Sequence, residues 1–253
     1  DHTYALLNFN LFLLNDLKNI PWDIYSSSAL PLFYLFLKSF FDQASKLNLV
    51  ISNLLFAIFS IFIFYKLLIK KFDQTKLNNS YIILYSFLLL LSPYFRSSIF
   101  WGLEEIIGIL MLILTFYFFS LYKENKNLVY LILLIFFTSL AFYTRQSYLF
   151  LAAFIFIQVF NFKNLKDKKN IIIIGLFLIF YLPSLYFFIH WNGLLPPIAI
   201  DEGRKLSLFF FNIPTILSIS LIYLIPFMFL TFKKLNDFLF FFKKKLFFFL
   251  FQC

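Results

Sequence analysis

A single cysteine, Cys253, excludes a disulfide framework within this chain. Glycine is almost as scarce, at 5 in 253 residues, so a glycine-rich phosphate loop is impossible and glycine-mediated helix crossings must be few. Only 13% of the residues are charged, too few for a solvated surface around a chain of this length. The two histidines, His2 and His190, are far apart and make a weak case for a metal. Walker-type, dinucleotide-binding and His-Glu-x-x-His signatures are all absent. Neither a metal nor a cofactor is implied.

What fills the chain instead is apolar. It is 62% hydrophobic and 24% aromatic, with 43 Phe and a mean hydropathy of +0.87. No water-soluble domain has enough interior to hide that much apolar surface, so the expectation is an all-α polytopic membrane protein. Helix is the default because the open edge of a sheet leaves backbone groups unsatisfied in lipid. The net charge of +10 would elsewhere suggest nucleic acid. Here the basic loops flank apolar runs, and orientation in a membrane accounts for them without a nucleic-acid partner.

The runs define two regions. Residues 1–46 read as an outer loop in which Tyr4–Leu14 and Leu30–Phe41 are too short to span and lie as interfacial helices. Residues 47–253 read as a bundle of about seven spans with an incomplete C-terminal segment. The spans are Leu47–Ile69, Asn79–Phe95, Leu103–Tyr122, Leu128–Tyr143, Ser147–Phe162, Asn170–His190 and Leu208–Phe232. Phe238–Cys253, interrupted by Lys243–Lys245, is the incomplete segment. The chain begins at Asp1 without Met and stops within an apolar run, so it reads as a fragment.

Alternate loops carry fifteen of the 22 basic residues, every one a lysine, among them Lys70, Lys71, Lys123, Lys126, Lys168 and Lys169. The positive-inside rule puts that side in the cytoplasm. The opposite side holds all three arginines, Arg96, Arg145 and Arg204, with both histidines and all three tryptophans. Planar bidentate donors kept on one face suit a phosphate. The centre of this face is Ser92-Pro-Tyr-Phe-Arg-Ser-Ser-Ile-Phe-Trp-Gly-Leu-Glu-Glu105, a polar hinge between two apolar runs, with Arg96 closing one helix and Glu104 and Glu105 opening the next.

Carboxylate and guanidinium at a membrane surface fit transfer of a sugar from a lipid phosphate. A carboxylate can take the proton of an acceptor hydroxyl. An arginine can stabilise the phosphate that leaves. A polyprenyl tail requires an apolar groove between helices. The candidate catalytic residues at the hinge are Glu104 and Glu105. Candidate substrate contacts are Arg96, Arg145, Gln146, His190, Asn192 and Arg204. Each has a plainer reading: Glu104 and Glu105 as helix N-terminal acids, the arginines as snorkelling anchors, and Leu194-Leu-Pro-Pro197 as a helix stop.

Several short motifs occur in an order that carries a family resemblance. Asp1-His2-Thr-Tyr-Ala5, Trp22-Asp23 and Ser28-Ala-Leu-Pro-Leu-Phe-Tyr34 resemble the first outer loop of GT-C class glycosyltransferases. With Asn53-Leu-Leu-Phe56, Arg145-Gln146 and Trp191-Asn-Gly193, the order is similar to the dolichyl-phosphate-glucose-dependent α-1,2-glucosyltransferases. The chain departs from that pattern at Asp1-His2, where the family has two acids, and at Ser28–Leu32, where it has a Pro-Pro-Gly turn. The resemblance implies a GT-C-like helical bundle and Asp1 as the base. It further implies transfer of a hexose, glucose in that family, from a polyprenyl-phosphate-linked sugar donor to a lipid-linked glycan acceptor. The setting would be the endoplasmic reticulum membrane in a eukaryote or the inner (plasma) membrane in a bacterium. A multi-spanning transporter or a non-catalytic membrane subunit is the alternative. A transporter should show polar groups near the bilayer midplane and paired, interrupted helices from an internal repeat, whereas the span interiors are nearly uncharged and no repeat stands out.

Overall fold

The computed structural model describes residues 2–22, 24–25, 27, 30–72, 79–162, 167–193 and 195–201. The chain divides into two units, Asp1–Lys205 and Leu206–Cys253, and every element described belongs to the first. The expected span Leu208–Phe232 and the segment Phe238–Cys253 lie outside the described residues, as do Asp1 and Arg204.

All regular structure among the described residues is helical. In order it comprises α1 (His2–Leu14), α2 (Leu32–Phe40), α3 (Lys46–Phe72), α4 (Asn79–Ser86), α5 (Pro93–Trp101), α6 (Glu105–Asn125) and α7 (Leu128–Thr144). After these come α8 (Leu149–Val159), α9 (Lys168–Tyr181), α10 (Ser184–His190) and the short α11 (Pro197–Asp201). α3 and α6 are long and apolar enough to cross a membrane. At about 1.5 Å per residue, the 21 residues of α6 match about 30 Å of hydrocarbon. Two expected spans are broken. The Asn79–Leu91 run turns by 66° into α5 at Ser92-Pro93, and α9 turns by 43° into α10 at Pro183. Proline lacks the amide donor and so ends the first ladder and opens the second. Counting each bent pair as one span gives up to four, while α7 and the Gln146–Val159 helical run are apolar but shorter.

The helices turn their small and polar residues inward. α3 buries Leu49, Ser52, Asn53, Ala57 and Ser60, while Leu55, Ile58, Phe59 and Phe62 are exposed. α7 buries Thr138, Ser139, Ala141 and Thr144, and α9 exposes Ile171, Leu178 and Ile179. Small inward residues let backbones approach, and an outer face of this kind is compatible with lipid rather than water. The buried hydroxyls bond within their own helix: Ser60 Oγ donates to the Phe56 carbonyl at 2.7 Å and Thr138 Oγ1 to that of Leu134 at 2.7 Å.

α6 and α7 form an antiparallel hairpin, and α3 runs parallel to α6. Leu49, near the start of α3, touches the turn before α6, while Lys70 Nζ, near its end, pairs with Glu124 Oε2 at 2.6 Å. α9 starts beside the same end, where Lys169 Nζ lies 5.0 Å from the Tyr122 ring centre. One end of the bundle therefore gathers Lys70, Lys123, Lys126 and Lys169, and the other the hinge carboxylates with Arg145.

The two short helices of the first loop do not simply lie along a surface. Phe9 and Phe12 of α1 and Phe33, Tyr34 and Leu37 of α2 are buried in one core with Leu110, Met111, Ala141 and Phe142. Trp22 and Trp191 also belong to that core, their rings 6.0 Å apart, and Tyr25 stacks on Trp191 at 6.1 Å. Aromatic packing, rather than a membrane-interface belt, holds these two tryptophans.

Candidate functional site

The hinge between α5 and α6 is built by three local devices. Ser92 caps α5, its side chain accepting from the Phe95 amide at 3.4 Å, and Pro93 occupies the first turn. Gly102 ends α5 at φ 67, and the Leu103 amide reaches back to the Ser98 carbonyl at 3.0 Å. A side chain at Gly102 would also stand 2.7 Å from Leu49 Cβ, so the position demands glycine twice over. Asn53 of α3 then clamps the turn. Its fully buried amide donates to the Ser98 carbonyl at 2.8 Å and the Leu103 carbonyl at 2.7 Å.

This clamp presents Glu104 and Glu105 in the same direction as the C-terminal end of α7. Glu105 opens α6, where the helix dipole favours an anion, and its Oε1 accepts from Arg145 Nη2. Gly108, one turn further on, permits the approach: a Cβ there would meet Thr144 Oγ1 at 2.7 Å. Glu104 precedes the helix but accepts nothing from its amides, so it is not a cap. Its Oε1 accepts a hydrogen bond from Ser27 Oγ, in the loop between α1 and α2. Tyr34, whose hydroxyl accepts from Asn8 Nδ2 at 3.4 Å, interacts with the same carboxylate.

The valences are incomplete. Oε2 of Glu104, Oε2 of Glu105 and Nε of Arg145 are buried without a hydrogen-bond partner among the described residues. Burial pushes the Glu104 carboxyl up from 4.5 to about 7, and Glu105 adds to the rise against the opposing pull of Ser27 and Arg145. Burial disfavours the Arg145 charge, but Glu105, Tyr94 and Glu104 outweigh it and leave its pKa raised. Burial, and then Glu104, likewise raise Tyr25 and Tyr34. A carboxyl that titrates near neutrality beside a fixed guanidinium can exchange a proton and hold an anion at one place.

Not every expected site residue joins this cluster. Arg96 is exposed on α5, whose Phe95, Ser98 and Ile99 face inward. Gln146 is half-buried in the turn after Arg145. His190 is exposed at the end of α10 against Tyr186, ring centres 4.5 Å apart, and Asn192 is exposed at φ 55. Asp1 and Arg204 are outside the described residues. Ser27, Asn8 and the site roles of Tyr34 and Asn53 were not singled out from the sequence. Ser27 reads there only as loop, and Tyr34 and Asn53 only as parts of short motifs. Among the described residues no group of three or more His, Cys, Asp or Glu is placed to hold a metal.

An apolar groove of about 780 Å³ runs between α8 and the α9–α10 pair. Phe142 and Leu149, about one turn before and after Arg145, stand at its wall, and Phe156, Phe177 and Tyr181 continue it. No protein family, curated protein or solved structure matches this chain.

Proposed function

We propose that the protein is a membrane glycosyltransferase of GT-C type, transferring a hexose from a polyprenyl-phosphate-linked donor to a hydroxyl of a lipid-linked glycan. The observation that carries this reading is the free, buried oxygen of Glu104 next to the Glu105–Arg145 pair. In the reaction the acceptor oxygen attacks the anomeric carbon and its proton passes to Glu104. The bond from that carbon to the phosphate oxygen breaks, and the phosphate leaves with the electron pair beside Arg145. The carboxyl value of about 7 suits a base that works at neutral pH. The groove whose wall includes Phe142 and Leu149 suits a polyprenyl chain, since its lining is almost wholly apolar.

The family resemblance assigns the base to Asp1, whereas the geometry offers Glu104, and the two assignments separate in one assay. Transfer of labelled glucose from a polyprenyl phosphate in reconstituted membranes should fall by about 10² or more in Glu104→Gln. Asp1→Asn should leave most of the rate. The reverse result moves the base to Asp1, a rate untouched by both substitutions removes both carboxylates as the base, and no transfer by the native protein refutes the enzyme. A second reading, a transporter, is favoured by the two bent helix pairs. Proteoliposomes that accumulate solute but form no glycoside would establish it.

A further inference from the structure

The lysine end of the bundle has a feature that orientation alone does not require. Among the described residues it carries Lys66, Lys70, Lys71, Lys123, Lys126, Lys168 and Lys169 against two acids, Glu124 and Asp167. Both acids are engaged. Glu124 pairs with Lys70 at 2.6 Å, and Asp167 Oδ1 accepts from the Lys169 amide at 3.1 Å as the cap of α9. Lys126 and Lys169, from the α6–α7 turn and the first turn of α9, both stand over the ring of Tyr122. Their ammonium groups are 5.4 and 5.0 Å from its centre. Tyr122 is itself buried.

Lys66 and Lys123 sit singly over Phe62 and Phe119, as snorkelling lysines do. Two cations gathered at one ring raise the local positive potential, and an anion bound there would lower it. Lys126 is moreover held at φ 50, a left-handed position that glycine or asparagine ordinarily fills at a helix end. Its side chain is thus kept where the backbone would prefer another residue.

We propose that Lys126 and Lys169, supported by Tyr122, bind the phosphate of an anionic membrane lipid at the lysine-rich end of the bundle. The site rests on the chain being embedded in a membrane and is independent of any glycosyl transfer. Basic recesses between helices at the cytoplasmic surface suit such headgroups, and each lysine contributes a factor of about five in affinity.

The test uses the full chain purified in detergent, with retained lipid counted by native mass spectrometry after addition of phosphatidylglycerol or phosphatidylcholine. The native protein should retain phosphatidylglycerol in preference, Lys126→Gln/Lys169→Gln should reduce that preference about 30-fold, and Lys126→Arg/Lys169→Arg should keep it. Lys66→Gln/Lys71→Gln, which removes the same charge from the same end, should change it little. Equal losses in the two glutamine pairs would show a diffuse field and overturn the site. An unchanged preference in the first pair would do the same. Displacement of phosphatidylglycerol by millimolar inorganic phosphate would refute a lipid as the ligand.

Discussion

Replacing Glu104 by Gln keeps the shape of the side chain and an oxygen for Ser27, but removes the ionisation. The native carboxyl titrates at about 7 rather than 4.5, because burial disfavours the anion more than Ser27 and Arg145 favour it. The folded state therefore holds this proton more tightly than the unfolded chain. Below pH 4.5 both states are protonated and the group contributes nothing to pH dependence. Between 4.5 and about 7 the unfolded chain releases the proton first, so stability falls as pH rises, and above 7 the loss is complete. At 1.36 kcal/mol per tenfold change in proton affinity, the loss is about 3 kcal/mol. Gln has no such loss. At pH 8 the variant should melt roughly 6–12 °C higher than the native protein, and at pH 4 the two should coincide. Thermal unfolding in detergent, followed by the fluorescence of buried Trp22 and Trp191, reads the difference directly. Ionisations common to both proteins cancel in the comparison. A Gln variant that melts lower at pH 8, or a gap independent of pH, would refute the assignment of a neutral buried carboxyl. The same substitution should remove transfer activity, so stability and activity move in opposite directions, as expected of a residue kept for chemistry.

The remaining predictions concern the helix packing and the hinge clamp. Gly108→Ala places a methyl group against Thr144 Oγ1 and Tyr148 and should cost about 1–3 kcal/mol while parting Glu105 from Arg145. Gly175→Ala, with nothing within 4 Å of the new atom, should instead be neutral or gain about 0.4–1 kcal/mol in the same thermal melts. Asn53→Leu should cost about 2 kcal/mol by leaving the hinge carbonyls without their side-chain donor. Asn53→Asp should cost more at pH 8 than at pH 4, since its anion faces the same carbonyl oxygens. Equal costs at both pH values would argue that Asn53 only fills space.

The helical class, the excess of apolar surface and the segregation of lysines from arginines follow from composition and loop order, which depend on local sequence alone. The turn around Gly102 is equally local: Ser92-Pro93 starts a helix and a glycine ends it, whatever surrounds them. Tertiary structure decided which polar groups meet. Arg96 and Arg145 look alike in the sequence, yet only Arg145 reaches Glu105, across 40 residues, because Gly108 lets α6 and α7 close together at that end. Ser27 reaches Glu104 across 77 residues because aromatic packing draws the first loop into the core. The sequence pattern also treated Asn79–Phe95 and Asn170–His190 as continuous spans, since hydropathy does not register the bend that a proline imposes. Hydropathy and charge order are sums over neighbours along the chain. The pairing of a carboxylate with its guanidinium depends instead on how closely two backbones approach, and that was set by packing between distant segments.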